Sequence, residues 1–345
     1  MSEVVLSVIT PCYDESDNIP RLYSELTRVL EDLGVHYELI WVENGSRDDS
    51  FEMMKDLAEK DPRVKIIQLT RNFTYQGGIA AGMAYAQGKY LVSIDADLQD
   101  PPEMIGRMYE KAITEHYDIV YGIRRKRQEG FVQRAAYRLF YRIMRAISSV
   151  DVPLDAGDFA LISRPVLNAL RSLPERDRFH RGLRAWVGFN ATGIEYDRGA
   201  RLRGASKFSI ADQFLLAFQG LFSFSFMPLR LFFYAGVGVC LAIVPLFLFY
   251  MVWRIMVPGA WPPGVATIIL LLLAILGVTM FGIGLIGEYI AIIFVEVKER
   301  PTFLIKSMVN CQVREEYSCD ARIDRTQRVL NKYGSRGPRE HHLQM

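Results

Sequence analysis

The chain is poor in the features that mark disulfide-linked, thiolate-metal and nucleic-acid-binding proteins. Among its 345 residues are 4 cysteines, whose spacing matches no metal site: Cys12, Cys240, Cys311 and Cys319. The net charge of +2 is too small to indicate a nucleic-acid partner. The first residues, MSEVVLSVIT, contain no basic segment ahead of a cleavable apolar stretch, so we expect no signal peptide.

Short apolar segments alternate with amphipathic segments in the first third of the chain. Strands are predicted at residues 4–10, 37–42, 64–69, 90–94 and 118–121. Helices are predicted at residues 18–33, 50–60, 76–86 and 102–115. This alternation predicts an α/β fold with a doubly wound, mostly parallel sheet. No G-x-G-x-x-G sequence follows the first strand, which argues against a dinucleotide-binding dehydrogenase.

Two carboxylates follow the fourth apolar segment. The sequence YLVSIDADLQDPPE places Asp95 and Asp97 ahead of a proline-marked turn. Open α/β sheets bind ligands at the carboxyl ends of their strands. Carboxylate oxygens suit Mg²⁺ or Mn²⁺, ions that usually bridge to the phosphates of a substrate. The motif therefore predicts a metal site for a nucleotide diphosphate, and two aspartates that cap a turn are the alternative.

The second half of the chain contains two long stretches without charge. Residues 231–253 would form a helix of roughly 34 Å, enough to cross the hydrocarbon core of a bilayer. After Arg254, a second uncharged stretch runs over residues 255–287. We predict two transmembrane helices, at about 231–253 and 265–294, with a buried core hairpin as the alternative. Basic residues before the first and after the second predict that both flanks are cytoplasmic.

Three further segments suggest contact with lipid. Residues 133–150 and 210–227 are rich in aromatic residues and predict helices on the bilayer surface, with helices packed on the sheet as the alternative. The loop YDRGARLRGASKFS, residues 196–209, carries three arginines and a lysine. Such cations can hold a phosphate group, and a plain headgroup anchor is the alternative.

These motifs resemble a known family. PCYDESDNIP, ENGSRDDS and DADLQDPPE resemble segments of the family 2 inverting glycosyltransferases, which have the GT-A fold. The loop at 196–209 resembles the R-x-x-G-x-S-K-F segment of polyprenyl-phosphate glycosyltransferases, the group that includes dolichol-phosphate mannose synthase and bactoprenol glucosyltransferases. LDAGDFALISR and GLIGEYI extend the resemblance over nearly the whole chain.

The resemblance implies a domain organisation and a location. We expect a cytoplasmic GT-A domain at residues 1–209, an interfacial helix at 210–228, a transmembrane hairpin at 229–296 and a cytoplasmic tail at 297–345. The protein would then be integral to the bacterial cytoplasmic membrane. Small residues in the apolar segments suggest self-association into homo-oligomers.

The resemblance also implies a reaction. A hexose would pass with inversion from a nucleotide sugar to a polyprenyl phosphate, for glycan or cell-envelope modification. UDP-glucose and undecaprenyl phosphate are the favoured substrates, and GDP-mannose is the alternative donor. A processive polysaccharide synthase and a non-catalytic membrane scaffold are the competing hypotheses. HRGLRAW, at residues 180–186, matches the Q-x-x-R-W segment of the processive enzymes poorly.

Site residues follow from the same resemblance. Asp97 and Asp158 are expected to be catalytic, Asp158 as a base or as an orienting group. The expected metal ligands are Asp95, Asp97 and Gln99, for Mg²⁺ or Mn²⁺. The expected nucleotide contacts are Pro11, Tyr13, Glu15, Glu43, Asn44, Arg71, Gln76, Asp95 and Ala96. The expected lipid-phosphate contacts are Arg124, Arg134, Arg201 and Lys207. The family usually has two aspartates at Glu43 and Asn44, a departure that leaves the base preference open.

Overall fold

A computed structural model describes residues 3–124, 156–176, 178–197, 199 and 265–311, with isolated positions between 229 and 256. The predicted residues Arg134, Arg201 and Lys207 lie outside this part of the chain. So do the segments 133–150 and 210–227 and the tail from residue 312.

Eight strands and seven helices have both ends defined within the described residues. The strands are β1 Leu6–Cys12, β2 Tyr37–Glu43, β3 Val64–Leu69, β4 Tyr90–Ser93, β5 Ile119–Arg124, β6 Ala156–Ser163, β7 Ala191–Tyr196 and β8 Ile305–Val309. The helices are α1 Ile19–Asp32, α2 Ser50–Lys60, α3 Thr74–Tyr85, α4 Glu103–Thr114, α5 Arg164–Ser172, α6 His180–Trp186 and α7 Val265–Val297. The five predicted strands and the four predicted helices of the first third are confirmed.

The strands build one mixed sheet in the order β7-β5-β6-β4-β1-β2-β3-β8. β4, β1, β2 and β3 are parallel neighbours, as are β5 and β7. β6 runs antiparallel between β4 and β5, and β8 runs antiparallel along β3. The predicted α/β class with a mostly parallel sheet is therefore confirmed.

Each face of the sheet carries its own apolar core. Because side chains alternate along a strand, neighbours such as Ile40 and Trp41 enter opposite cores. One core packs against α1, α2 and α4, and the other against α3, α5 and α6. Helix α3 lies especially close to β1, since a Cβ atom at Gly78 or Gly82 would lie 3.0 Å from Pro11 or Ile9. This close packing places the start of α3 beside the carboxyl ends of the strands.

Helix α7 differs from the other helices because most of its described side chains are exposed although they are apolar. Its segment Ile275–Val297 is the one helical segment, within the described residues, that is long and apolar enough to cross a membrane, with a mean hydropathy of 2.1. The first predicted span is described only at isolated positions, each of which is helical. One of these, Phe232, packs on Phe281 of α7 with ring centroids 6.0 Å apart.

After α7 the chain returns to the sheet as β8. The sequence analysis did not predict this strand and assigned its residues to the tail. Ile305 and Met308 pack on the core formed with α3, and the Ser307 hydroxyl donates to Gln68 Oε1 of β3 at 2.7 Å. The apolar helix therefore lies between two segments of chain that both belong to the same sheet.

Candidate active site

The polar segments that follow β1, β2, β3 and β4 meet at one edge of the sheet. These four strands are parallel neighbours, so their carboxyl ends lie side by side. The expected nucleotide-binding segments and the Asp95–Asp97 pair occupy this edge together.

The segments after β1 and β2 hold each other in place. Asp14 Oδ1 accepts the backbone N–H of Arg47 at 2.7 Å, and the backbone N–H of Glu15 donates to Ser50 Oγ at 3.1 Å. The carboxylate of Glu43, which is buried, accepts the backbone N–H of Ser46. These contacts fix the backbone just after Tyr13 to the segment after β2, so the predicted nucleotide residues that follow β1 and β2 lie in one wall.

Asn44 holds the turn that follows β3. Its Nδ2 donates to the carbonyl of Thr74 at 2.8 Å, and its Oδ1 accepts the N–H of Phe73 at 2.9 Å. The buried amide is thus engaged with backbone groups at both of its ends. In the same turn, Arg71 is exposed and its guanidinium lies 4.1 Å from the centroid of the Phe73 ring. Of the two residues, Arg71 is the one open to solvent.

The segment after β4 concentrates negative charge. Asp95 accepts a hydrogen bond from the Tyr75 hydroxyl, and Asp97 Oδ1 accepts the N–H of Gln99 at 3.1 Å. Burial, with the charges of Asp100 and Asp97, raises the pKa of Asp95 to about 7. A divalent cation would relieve this repulsion, so the carboxylates fit the expected metal.

No group of three or more His, Cys, Asp or Glu side chains within the described ranges has a metal-binding arrangement. Bound Mg²⁺ and Mn²⁺ usually keep several waters and take substrate phosphates as ligands. Two carboxylates at a strand end suit that mode of binding better than a cage built entirely of protein.

Gln99 connects the acidic segment to the start of the predicted lipid-phosphate loop. The N–H of Gly199 donates to the carbonyl of Gln99 at 3.0 Å, and Gln99 Nε2 donates to the carbonyl of Gly199 at 3.4 Å. Arg201 and Lys207, a few residues further on, lie outside the described residues. Gly199 itself is held beside Leu98 and Gln99, which follow Asp97 in the chain.

Arg124 is connected by hydrogen bonds to Asp100, which lies in the acidic segment after β4. Its Nε donates to the hydroxyl of Tyr196 at 3.4 Å, and that hydroxyl donates to Asp100 Oδ1 at 2.5 Å. Burial lowers the pKa of the Arg124 guanidinium, but the charge of Asp100 raises it further, with a net upward shift. Arg124 therefore carries a positive charge at the border of the carboxylates.

Asp158, on β6, is paired with Arg181 on α6. Arg181 Nε and Nη2 both donate to Asp158 Oδ2, at 3.0 and 2.8 Å. Burial raises the pKa of Asp158, but the charge and the hydrogen bonds of Arg181 lower it, and the net shift is downward. The carboxylate is therefore an anion at neutral pH.

His180 and Gln76 connect α6 to α3. The backbone N–H of His180 donates to Gln76 Oε1, and its Nε2 lies 3.1 Å from the carbonyl oxygen of Gln76. Burial lowers the pKa of His180 to about 4, so the ring is neutral and Nε2 is the donor to that carbonyl. Gln76, an expected nucleotide contact, makes its described hydrogen bonds to this helix.

The sequence analysis did not single out His180 and Arg181 as site residues. HRGLRAW was compared only with the motif of processive enzymes, which it matches poorly. The concentration of basic residues in this segment is the sequence signal that could have indicated a site there. Their partners Gln76 and Asp158 lie 104 and 23 residues away in sequence, with no fixed spacing that would have predicted the pairing.

Comparison with known proteins identifies the family. The model of glycosyl transferase family 2 matches residues 7–171. An uncharacterized glycosyltransferase of Synechocystis sp. is 37% identical over 306 residues, which cover 88% of this chain and 96% of that protein. The chain belongs to glycosyl transferase family 2. A second relative, the bactoprenol glucosyl transferase of Shigella phage SfII, is 35% identical over 87% of this chain and 97% of its own length.

Solved structures of other glycosyltransferases are more distant. The glucosyl-3-phosphoglycerate synthase of Mycobacterium tuberculosis, in complex with Mn²⁺, UDP-glucose and phosphoglyceric acid, is 19% identical. It covers 64% of this chain and 78% of its own, with a TM-score of 0.44. The family match and the observed sheet give this family 2 glycosyltransferase a GT-A fold, as predicted.

Proposed function

We propose that this protein transfers a hexose, with inversion, from a nucleotide diphosphate sugar to a polyprenyl phosphate. The observation that carries the proposal is the pairing of Gln99 with Gly199, which supports an acceptor loop close to the Asp97 segment. Two relatives named bactoprenol glucosyl transferase, similar over most of both chains, support a polyprenyl phosphate acceptor. UDP-glucose is the favoured donor and undecaprenyl phosphate the favoured acceptor.

On the donor side, the nucleotide would lie across the ends of β1 to β4. Asp97 and Asp95, assisted by Gln99, would hold Mg²⁺ or Mn²⁺. When bound, the ion would supply positive charge that stabilises the departing nucleoside diphosphate. The proposed contacts to the nucleotide are Pro11, Tyr13, Glu15, Glu43, Asn44, Arg71, Gln76 and Ala96. The side-chain amide of Asn44 already binds backbone groups at both of its ends, so we expect Asn44 to fix the backbone around the nucleotide. Arg71, which is exposed, is the residue of this turn that can contact the nucleotide directly.

On the acceptor side, cations would hold the phosphate of the lipid. We assign this role to Arg124, Arg134, Arg201 and Lys207. A phosphate monoester has a second pKa of about 6, so it is largely ionised at neutral pH and needs no strong base to attack the sugar. Attack on the anomeric carbon from the face opposite the diphosphate would invert its configuration in one displacement. Asp158 would act on this side of the site.

The membrane has a direct part in the proposal. We assign α7 and the apolar segment at 231–253 to a transmembrane hairpin in the bacterial cytoplasmic membrane. Residues 1–209, the interfacial segment at 210–228 and the tail would lie on the cytoplasmic side. Exposed apolar side chains along α7 support this assignment. Homo-oligomers would form through the small residues of these helices.

The reaction can be tested with purified protein, undecaprenyl phosphate, Mn²⁺ and a panel of labelled UDP and GDP sugars. We expect label in the organic phase from one donor, and its loss with a chelator and in Asp97→Asn. Asp32→Asn, at the exposed end of α1, is the matched control and should keep full activity. Label from GDP-mannose alone would replace the favoured donor. No label together with no metal-dependent nucleotide binding would favour the scaffold hypothesis and reject the enzyme.

A further inference from the structure

The carboxylate of Asp158 has almost no solvent-exposed surface through which it could contact a substrate. The residue is 6% exposed, and its Oδ2 already accepts two N–H groups of Arg181. Its Oδ1 is buried and has no hydrogen-bond partner among the described residues. Asp158 also lines a small cavity of about 10 Å³ with Ser93, His180 and Arg184. Such a volume holds roughly one water, so the cavity cannot admit a sugar or a lipid phosphate.

Arg181 is the accessible member of the pair. Its side chain is 28% exposed, compared with 6% for that of Asp158. An arginine carries five N–H donors, and two of those of Arg181 bind Asp158. The remaining donors include the whole of Nη1. A guanidinium fixed along one edge can still offer its other N–H groups to an anion.

The position of Arg181 suits a phosphate. Burial lowers the pKa of its guanidinium, but the charge of Asp158, with smaller contributions from Tyr75 and Asp95, raises it overall. The side chain is therefore always charged. The contacts of His180 with Gln76 also place the start of α6 beside Tyr75, whose hydroxyl donates to Asp95. The proposed diphosphate site is at Asp95. The guanidinium of Arg181 could therefore attract a phosphoryl oxygen of the bound diphosphate or of the lipid phosphate.

We propose that Arg181 contacts a phosphoryl oxygen during transfer and that Asp158 is a positioning residue that holds its guanidinium. The proposal deepens the proposed function and rests on it. The oxygen belongs either to the lipid phosphate or to the nucleoside diphosphate, which share the chemistry that a guanidinium recognises. Asp158 holds the long side chain of Arg181 in one rotamer. Binding of the phosphate therefore costs less side-chain entropy than it would with a free arginine.

The deciding variants are Arg181→Lys and Asp158→Asn. Lysine keeps the charge but lacks the planar fork, so it cannot bind Asp158 and a phosphate in the same geometry. We expect transfer by Arg181→Lys to fall about 100-fold, because each lost charge-assisted hydrogen bond is worth about tenfold or more. Asparagine keeps an oxygen that can accept from Arg181, so Asp158→Asn should retain about a tenth of the activity. Asp158→Ala, which has no acceptor, should fall well below Asp158→Asn.

Two readouts distinguish the source of the phosphate. A rise in KM for undecaprenyl phosphate, with the Kd for UDP unchanged, assigns Arg181 to the lipid phosphate. A weaker Kd for UDP in the presence of Mn²⁺ assigns it to the diphosphate. Arg21→Lys, in an exposed pair with Glu25, is the matched control and should leave both values unchanged. Thermal unfolding of each variant monitors the fold, and neither readout moves if the pair only stabilises the protein.

The opposite pattern would overturn the proposal. If Asp158 itself took a proton from the acceptor, Asp158→Asn would be as inactive as Asp158→Ala, while Arg181→Lys would stay near the wild type. Unchanged KM and Kd in Arg181→Lys would likewise reject a phosphate contact. Absence of transfer by the wild-type protein is a different result, because it rejects the proposed function and the present inference falls with it.

Discussion

Both carboxylate oxygens of Glu296 accept the backbone N–H of Arg176, at 2.9 and 3.1 Å. Glu296 lies in the last turn of the apolar helix α7, and Arg176 lies in the segment between α5 and α6. Helix α6 begins at His180 and carries Arg181. The end of the candidate membrane helix is therefore fixed to the segment that leads into α6, on the proposed acceptor side of the site.

Loss of this contact should disturb transfer more than nucleotide binding. In Glu296→Ala the N–H of Arg176 loses a charged acceptor, a change worth about 1.5–3 kcal/mol. We expect a several-fold rise in KM for the lipid and a smaller change in the Kd for UDP, since most of the proposed nucleotide contacts lie on the segments after β1, β2 and β3, whereas Gln76 is bonded to α6. Glu299→Gln, three residues further on and exposed, serves as the control. Equal effects of the two variants would show that only the general charge near the membrane matters.

The alternation of apolar and amphipathic segments was sufficient to predict β1 to β5 and α1 to α4. These elements follow one another along the chain, and each buries an apolar face that the sequence displays. β8 could not be predicted in this way. Its five residues pair with β3 across more than two hundred residues, and no local pattern indicates which edge of a sheet a strand will join.

The candidate site was predictable to the extent that it depends on strand ends. The positions of Asp95 and Asp97 follow from the end of an apolar segment. The partners of Asn44 did not follow, because they are backbone groups of Phe73 and Thr74, which any residue type would supply. The Asp158–Arg181 pair joins a strand to a helix without a fixed spacing, so only the fold brings it together.

Asn44→Asp should damage the site although aspartate is the family's usual residue there. The new carboxylate would still accept from Phe73, but its second oxygen, buried and without a donor, would face the carbonyl oxygen of Thr74. An unpaired buried group of this kind costs about 1–3 kcal/mol. We expect a lower unfolding temperature and weaker UDP binding. Asn190→Asp, whose Nδ2 makes only a 3.4 Å contact to His116, should change neither.

Tyr75→Phe tests the support of Asp95. Phenylalanine keeps the packing of the ring but removes the hydroxyl that donates to the carboxylate. A hydrogen bond to a charged group is worth about 1.5–3 kcal/mol, so transfer should fall about tenfold or more. The Mn²⁺ concentration for half-maximal activity should rise, because Asp95 loses its orientation. Tyr109→Phe, whose ring packs edge-on against Tyr90 outside the site, is the control. Identical metal dependence in both variants would contradict a role of Asp95 in binding the ion.

Acid should weaken the fold through Asp61, far from the site. This buried carboxylate follows the last residue of α2 and accepts hydrogen bonds from Arg63 Nε at 2.9 Å and from the Tyr23 hydroxyl at 2.9 Å. Burial raises the pKa of Asp61, but the hydrogen bonds from Arg63 and Tyr23 outweigh it and lower the pKa overall. Because the pKa is lower in the folded state, the ionised carboxylate stabilises the protein at pH values above the unfolded pKa of about 3.9. This stabilisation is lost as the pH falls through the folded pKa.

The matching variant is Asp61→Asn. At pH 7 the loss of these charged hydrogen bonds should lower the free energy of unfolding by about 2 kcal/mol. The effect is limited to this size because Arg63 is 40% exposed and solvent screens part of its charge. The difference between wild type and variant should shrink as the pH falls below about 4, where the aspartate becomes protonated and loses its charged hydrogen bonds. Denaturant unfolding of both proteins between pH 3 and 7 measures this difference. A gap that stays constant over the whole range would show that the charge of Asp61 is not what stabilises this corner of the fold.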